Sequence, residues 1–421
     1  MVKEFIDPVM AIDIPADWNL VPLGNCVTEK LSYGVNAPAI PYRPGFPRYI
    51  RITDITEDGQ FDDGNPKSVI TAEREKYTLK DGDIVLARTG ASTGKSYLYR
   101  RSDGELVYAG FLIKASIDIT HHNPRFIVGQ LTTKRYWNWV ATTSMRSGQP
   151  GINGKEYSSF LIPVAPKKEQ EEIARTLSEF DIYIDDLAEL IEKKRGIRDG
   201  ALEDLMSGHT RLEGYDKAWS TYLFDDYFSL LPTNTYAREQ LTDKGNVGDV
   251  HYGDVLIKYG VVLTDKDDIP RLKDSSDIKE RSLLKRKDVL IADTAEDDTV
   301  GKVVQVGAVT IPLVGGLHTV ACRPNYETAD GFLGYYMSST SYHDQLYPYI
   351  TGIKVSSVSK KSFTETELYI PSDVKEQRAI ADTLTAMDKE IGALENERDK
   401  MIQIREGAMD DLLTGRIRLK A

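Results

Sequence analysis

Residues 167–208 read KKEQEEIARTLSEFDIYIDDLAELIEKKRGIRDGALEDLMSG, and residues 375–415 read KEQRAIADTLTAMDKEIGALENERDKMIQIREGAMDDLLTG. They align without a gap at one constant offset of 207, so that Gln170 falls on Gln377, Asp181 on Asp388, Arg198 on Arg405, Gly200 on Gly407, Gly208 on Gly415 and Arg211 on Arg418. Apolar residues recur by threes and fours in both copies: Ile173, Leu177, Phe180, Ile184, Leu187 and Ile191 in the first, Ile380, Leu384, Met387, Ile391 and Leu394 in the second. That spacing is a coiled-coil seam. Pro166 and Pro371 stand before the helices, and Gly208 and Gly415 stand where left-handed caps would end them. At 1.5 Å per residue, roughly 40 residues make a rod about 60 Å long. Glycines at 196, 200, 392 and 407 are places where either rod could break.

Working outward, the remaining sequence falls into two blocks, 18–165 and 219–374, each about 150 residues and of ordinary domain size. Their similarity is weaker but ordered. Trp18, Val21, Leu23 and Val27 match Trp219, Tyr222, Phe224 and Phe228; DGDIVLARTGASTGK matches RKDVLIADTAEDDTVGK; FLIP before the first helix matches LYIP before the second. Short β-type runs at 84–87, 289–292 and 302–306 are separated by Gly, Asp and Pro turns, which predicts mixed, mainly β domains. The resulting division is 1–166, a first domain with an N-terminal arm; 167–212, a first helix; 213–374, a second domain; and 375–421, a second helix and tail.

Composition sets limits on function. The chain of 421 residues is 41% hydrophobic and carries a formal charge of −12, from 53 basic and 65 acidic residues. Taken whole, that charge opposes polyanion binding. The acidity is localised, however: 167–207 holds 7 basic and 12 acidic residues and 375–414 holds 6 and 10, so the helices account for −9 and the rest of the chain is nearly neutral. The globular blocks are therefore free to carry basic faces. Cys26 and Cys322 are too few for a disulfide framework or a four-cysteine zinc site, which predicts a cytoplasmic setting. The first 18 residues, interrupted by Asp7, Asp13 and Asp17, do not read as a signal peptide, and no apolar window is long enough for a membrane helix. The six histidines lack metal-ligand spacing, and no G-x-S-x-G elbow or N-P-P-aromatic motif occurs. Catalysis is expected to belong to partners.

The alternation of divergent domains with near-identical helices resembles type I restriction-modification specificity subunits, over essentially the whole chain. GDIVLARTGASTGK (82–95), the EQ helix starts at 169–170 and 376–377 preceded by Ile-Pro, and the endings LMSGHTRL and LLTGRIRL carry the resemblance. It implies an α+β protein with a pseudo-twofold internal repeat, whose two target-recognition domains alternate with two long helices paired as an antiparallel coiled coil. It further implies a non-catalytic subunit that reads a bipartite, asymmetric target in double-stranded DNA, docks two methyltransferase subunits on its helices, and joins restriction subunits in defence against foreign DNA. S-adenosylmethionine, ATP and Mg would be bound by those partners, and this chain would bind no cofactor or metal itself. A coiled-coil scaffold with protein- or glycan-binding β domains is the rival reading, distinguished by salt dependence of DNA binding.

Candidate DNA contacts lie in several segments. The turn after strand 84–87 offers Arg88, Thr89, Ser92, Thr93 and Lys95, suited to phosphates and base edges or to an ordinary polar hairpin. Its G-x-x-x-G-K-S is one residue short of a nucleotide-binding loop, and the SYLYRR that follows reads as strand. The matching turn 293–302 is acidic but ends in Lys302; it reads as a solvated loop or as an acceptor for cytosine N4. Before the last strand of each domain stand Arg146, Gln149, Asn153 and Lys155, and then Lys354, Ser356, Ser357, Ser359 and Lys360, a donor-rich set that a flexible loop would equally explain. Arg43, Arg48 and Arg51 are interleaved with Tyr42, Phe46 and Tyr49, either as a binding cluster or as arginines at the rim of half-buried rings.

Overall fold

A computed structural model describes residues 14–145, 149–297, 299–352 and 354–419. Two helices of 41 residues each, Lys167–Ser207 and Val374–Thr414, run without interruption. The four interior glycines therefore do not break them, and a Cβ at any of the four would meet nothing within 4 Å. Both helices end as their sequences predict, with Gly208 and Gly415 in left-handed backbone at φ +74° and +75°.

The chain forms two compact units. One takes the residues up to Leu187 together with those from Glu397; the other takes Ala188–Asn396. Each unit thus holds one globular domain, half of one helix and the opposite half of the other.

In the first unit, a four-stranded antiparallel sheet has the order Ser32–Tyr33, Leu112–Ser116, Asp83–Ala87, Ser96–Leu98. A second sheet joins Ile40–Pro41, Lys67–Ser68, Arg48–Ile50 and Leu106–Tyr108, the last pair parallel. Asn19–Pro22 pairs with Leu161–Val164. The run Ile84-Val85-Leu86-Ala87 is continuously apolar because both of its faces are covered. Ile84 and Leu86 pack with Ile173 and Leu177 of the first helix and Leu412 and Leu413 of the second. Val85 and Ala87 face the other way, into a cluster with Ile50, Tyr97 and Leu106.

The second unit repeats the plan with an added strand. Its larger sheet has the order Phe228–Leu231, Thr319–Pro324, Val289–Ala292, Val303–Val306, Val262–Leu263. Val289 and Ile291 pack with Leu202, Leu205 and Met206 of the first helix and Ile380 and Leu384 of the second, while Leu290 and Ala292 join Val250 and Leu313 on the opposite face. Period-two alternation in each central strand thus serves a helix pair on one side and a second sheet on the other.

Within each unit the helix halves run antiparallel. In the first, Glu169 meets Arg418, Asp181 meets Arg405 and Tyr183 meets Glu397. In the second, Glu376 meets Arg211, Asp388 meets Arg198 and Glu390 meets Lys194. The first two contacts of each set are equivalent under the sequence repeat. Indole N–H groups follow it: Trp18 donates to Glu169 and Trp219 to Glu376. So do the glutamines at the helix starts, Gln170 accepting from the Asn123 amide and Gln377 from the Ala329 amide. Of the seam residues, Ile173, Leu177, Leu187, Ile191, Ile380, Leu384 and Ile391 are buried, and Phe180, Ile184, Met387 and Leu394 are half-buried. Ile173, Leu177, Ile380 and Leu384 do more than pair helices, since each fills a domain core.

Cys26 and Cys322 are buried free thiols, and burial pushes the Cys26 thiol up to about 12. Among the described residues no helix is long and apolar enough to cross a membrane, and no cluster of potential metal ligands occurs.

Candidate nucleic-acid interface

Strand Asp83–Ala87 delivers Arg88 into a turn that returns at Ser96–Leu98. Gly94 adopts φ +97°, and a Cβ there would lie 2.8 Å from Val140, so the turn needs glycine on both counts. Two buried tyrosines fasten it: Tyr157 donates to the Ala87 carbonyl and Tyr136 to that of Gly94, both at 2.7 Å. The segment before the last strand, which the sequence offers as a separate candidate, is bonded to this turn. Ile152 N–H donates to Arg88 O at 2.9 Å, Gly90 N–H donates to Pro150 O at 3.1 Å, and Thr89 bridges Gly151.

On that platform the Arg88 guanidinium lies over the Tyr33 ring, 4.9 Å from its centroid, and the Tyr33 hydroxyl accepts from Gly154 N–H at 3.0 Å. Tyr33 is 42% exposed and Phe111, whose carbonyl accepts from Arg88 N–H, is 59% exposed. Gln149 and Lys155 are exposed beside them. A cation, two open aromatic faces and an amide together suit contact with bases and phosphates. Neither Tyr33 nor Phe111 is among the sequence candidates. Each is one aromatic residue among many, and only strand pairing brings them to Arg88.

Several sequence candidates are used internally instead. The Thr93 hydroxyl is buried and donates to Gly90 O at 2.7 Å. Lys95, its side chain 14% exposed, pairs with Glu57 at 2.7 Å and reaches Ile55 O. Asn153 caps the short helix Gly154–Ser159, accepting from the Lys155 and Glu156 amides. Arg51 holds Asp54 in a two-pronged ion pair that pushes the guanidinium pKa up further. Arg48 lies over the Phe61 ring, with Asp63 at 3.6 Å. Hydrogen bonds and ion pairs within the fold thus occupy groups that the sequence offers to DNA. Arg43 is exposed, Ser92 is half-buried, and Arg146 lies outside the described residues.

The second domain builds the same backbone frame. Asp293 N–H donates to His318 O at 3.1 Å, as Arg88 does to Phe111, and Val358 N–H donates to Asp293 O at 2.9 Å, as Ile152 does to Arg88. Lys302 reaches Leu256 O at 2.6 Å, as Lys95 reaches Ile55, and burial lowers its pKa. Here the paired segments are true strands, Thr294–Ala295 against Ser356–Ser357. Ser359 caps the turn Lys360–Phe363, Lys360 reaches Thr233, and Lys354 is exposed. At the position of Arg88 stands Asp293, with the Thr294 hydroxyl at 2.9 Å and His318 Nδ1 at 3.3 Å. One frame therefore presents a cation on an aromatic ring in one domain and a carboxylate–imidazole pair in the other.

The model of the type I restriction modification DNA specificity domain matches residues 38–194 and again 219–403. The chain belongs to this family. The type I restriction-modification specificity subunits it resembles include one described as the MjaX specificity subunit of Methanocaldococcus jannaschii, 24% identical with 97% of this chain and 95% of that one aligned. The EcoKI specificity subunit of Escherichia coli is 30% identical over a shorter stretch, 27% of this chain and 25% of that one. Among solved structures, the type I system S subunit of M. genitalium aligns over 96% of this chain and 98% of its own, with a TM-score of 0.56 at 16% identity. A chain from a structural study of complex assembly and conformational transition in a type I system aligns over 97% of this chain and all of its own, at 0.55 and 15%. Both solved structures share the fold of this chain over nearly its whole length. Each copy of the family match spans one globular domain and the first part of the long helix that follows it.

Proposed function

We propose that this specificity subunit reads a bipartite, asymmetric target in double-stranded DNA, one half with each globular domain. The observation that carries the reading is the pair of equivalent frames around Arg88 and Asp293, where one backbone arrangement offers opposite charge. A scaffold repeated for identical partners has reason to keep its helices alike, whereas readers of unlike half-sites have reason to differ at the turn. Repeated helix surfaces, with Ile197 and Ile404 exposed at matching positions, suit two copies of a methyltransferase subunit. Restriction subunits would complete the assembly, in the cytoplasm. The chain itself is non-catalytic in this reading, and S-adenosylmethionine, ATP and Mg belong to its partners.

The test is to co-express the chain with the methyltransferase of its own system, map methylated bases in the host DNA, and titrate binding with salt. A split, non-palindromic motif and affinity falling steeply with salt are expected. Affinity indifferent to salt, or methylation without a split motif, overturns the reading.

A further inference from the structure

His318 is one of two non-glycine residues among those described with positive φ, at +54°. Left-handed backbone is unfavourable for a residue with a Cβ, and such strain gathers where a side chain must be placed for use. The placement here is specific. His318 Nδ1 stands 3.3 Å from Asp293 Oδ1 and 3.3 Å from the Thr294 hydroxyl, and the Tyr252 ring meets the imidazole edge-on at 5.2 Å. The Thr294 hydroxyl has one proton and donates it to Asp293 Oδ1 at 2.9 Å, so in its contact with His318 it accepts, which puts a proton on Nδ1. Nε2 lies across the ring, and no hydrogen bond to it is made among the described residues. The side chain is 47% exposed, at the position that Phe111 occupies in the first domain.

We infer that His318 is a specificity-determining residue of the second domain, its Nε2 accepting a hydrogen bond from the exocyclic amino group of a base on the major-groove edge. Adenine N6 and cytosine N4 supply that chemistry, and guanine offers acceptors where they offer the amino group. Asp293 and Thr294 are the positioning residues: the carboxylate orients the hydroxyl, the hydroxyl fixes the ring and its tautomer, and Tyr252 limits the ring's swing. The inference rests on the reading of the globular domains as DNA readers.

The experiment selects bound sequences from a randomised duplex library with the full chain assembled on its methyltransferase partner, at pH 8. The wild-type complex is expected to show one adenine or cytosine in its second half-site that depends on His318. His318→Gly, which suits left-handed backbone, should lower discrimination at that position about tenfold or more while leaving the first half-site intact. His318→Asn, also tolerated in that backbone, should change the preferred base at the same position, which a merely structural role would not do. An unchanged second half-site in both variants overturns the inference, as does an equal loss of affinity for all sequences, which marks a phosphate contact. A wild-type complex without a split preference instead overturns the specificity reading itself.

Discussion

Asp181 accepts from Arg405 Nε at 2.5 Å and from Arg125, so one carboxylate on the first helix ties together the second helix and the first domain. Asp388, its equivalent, forms an ion pair with Arg198 at 3.0 Å and accepts from the Tyr335 hydroxyl at 2.6 Å. The partners differ in charge, which separates the two sites in mutation. Asp181→Ala leaves two guanidinium groups facing each other and should cost about 2 kcal/mol, whereas Asp388→Ala leaves one cation and a neutral phenol and should cost about 1 kcal/mol. Urea unfolding of the two variants tests the order.

The same substitution, glycine to alanine, should act with opposite signs along each helix. Gly196, Gly200, Gly392 and Gly407 sit in helix interiors with open space at the Cβ, so alanine should stabilise by about 0.5–1 kcal/mol at each. Gly208→Ala should destabilise by about 1 kcal/mol through its left-handed backbone. Gly415→Ala should lose more, because the new Cβ would also lie 2.5 Å from Pro15. Thermal unfolding of the six variants gives the comparison.

At the turn that follows strand Asp83–Ala87, neighbouring cations should separate. Arg88→Ala should weaken DNA binding about tenfold without loss of fold, because the guanidinium rests on an exposed ring. Lys95→Ala should lower the melting temperature and leave the affinity of the folded protein unchanged, because Glu57 and Ile55 hold that ammonium. Fluorescence anisotropy with a duplex containing the mapped motif, beside a melting curve, reads both.

Asp249 gives the chain a distinctive pH response. Burial pushes its carboxyl up to about 6 in the folded state, against an ordinary value of 3.8. Between those values the unfolded chain gives up the proton first, so Asp249 lowers stability progressively as pH rises from about 4 to about 6 and holds it lower above that. Asp249→Asn should remove this slope and stabilise at pH 7–8 by roughly 1 to 3 kcal/mol, the contact with Asn234 being one an amide oxygen can still accept. Unfolding free energies at pH 4, 5, 6 and 7.5 provide the check.

The helices were readable because their signal is periodic and local: the seam, the offset of 207 and the capping glycines all stand in continuous sequence. The further role of Leu177 and Leu384 was not, since a seam position and a domain-core position are both apolar. An Asp substitution at these two sites would therefore unfold domains as well as part helices. Lys95 misleads for a different reason, its partners standing about forty residues away on a loop that only the fold brings near. Asn153 misleads less excusably, for Glu156 follows at the capping-box spacing and the sequence carries that signal. His318 was invisible, because left-handed backbone in a residue other than glycine leaves no trace in composition.

The partition of the helices also bears on how the chain is made. Leu412 and Leu413 fill a core whose other members lie between Trp18 and Leu177, so the domain that leaves the ribosome first is completed by residues translated long after it. The second domain closes with residues no later than 396, and its folding does not wait in this way. Until synthesis passes 413, the earlier domain exposes the apolar surface that those leucines cover, and its fate depends on translation speed and on whatever shields that surface meanwhile.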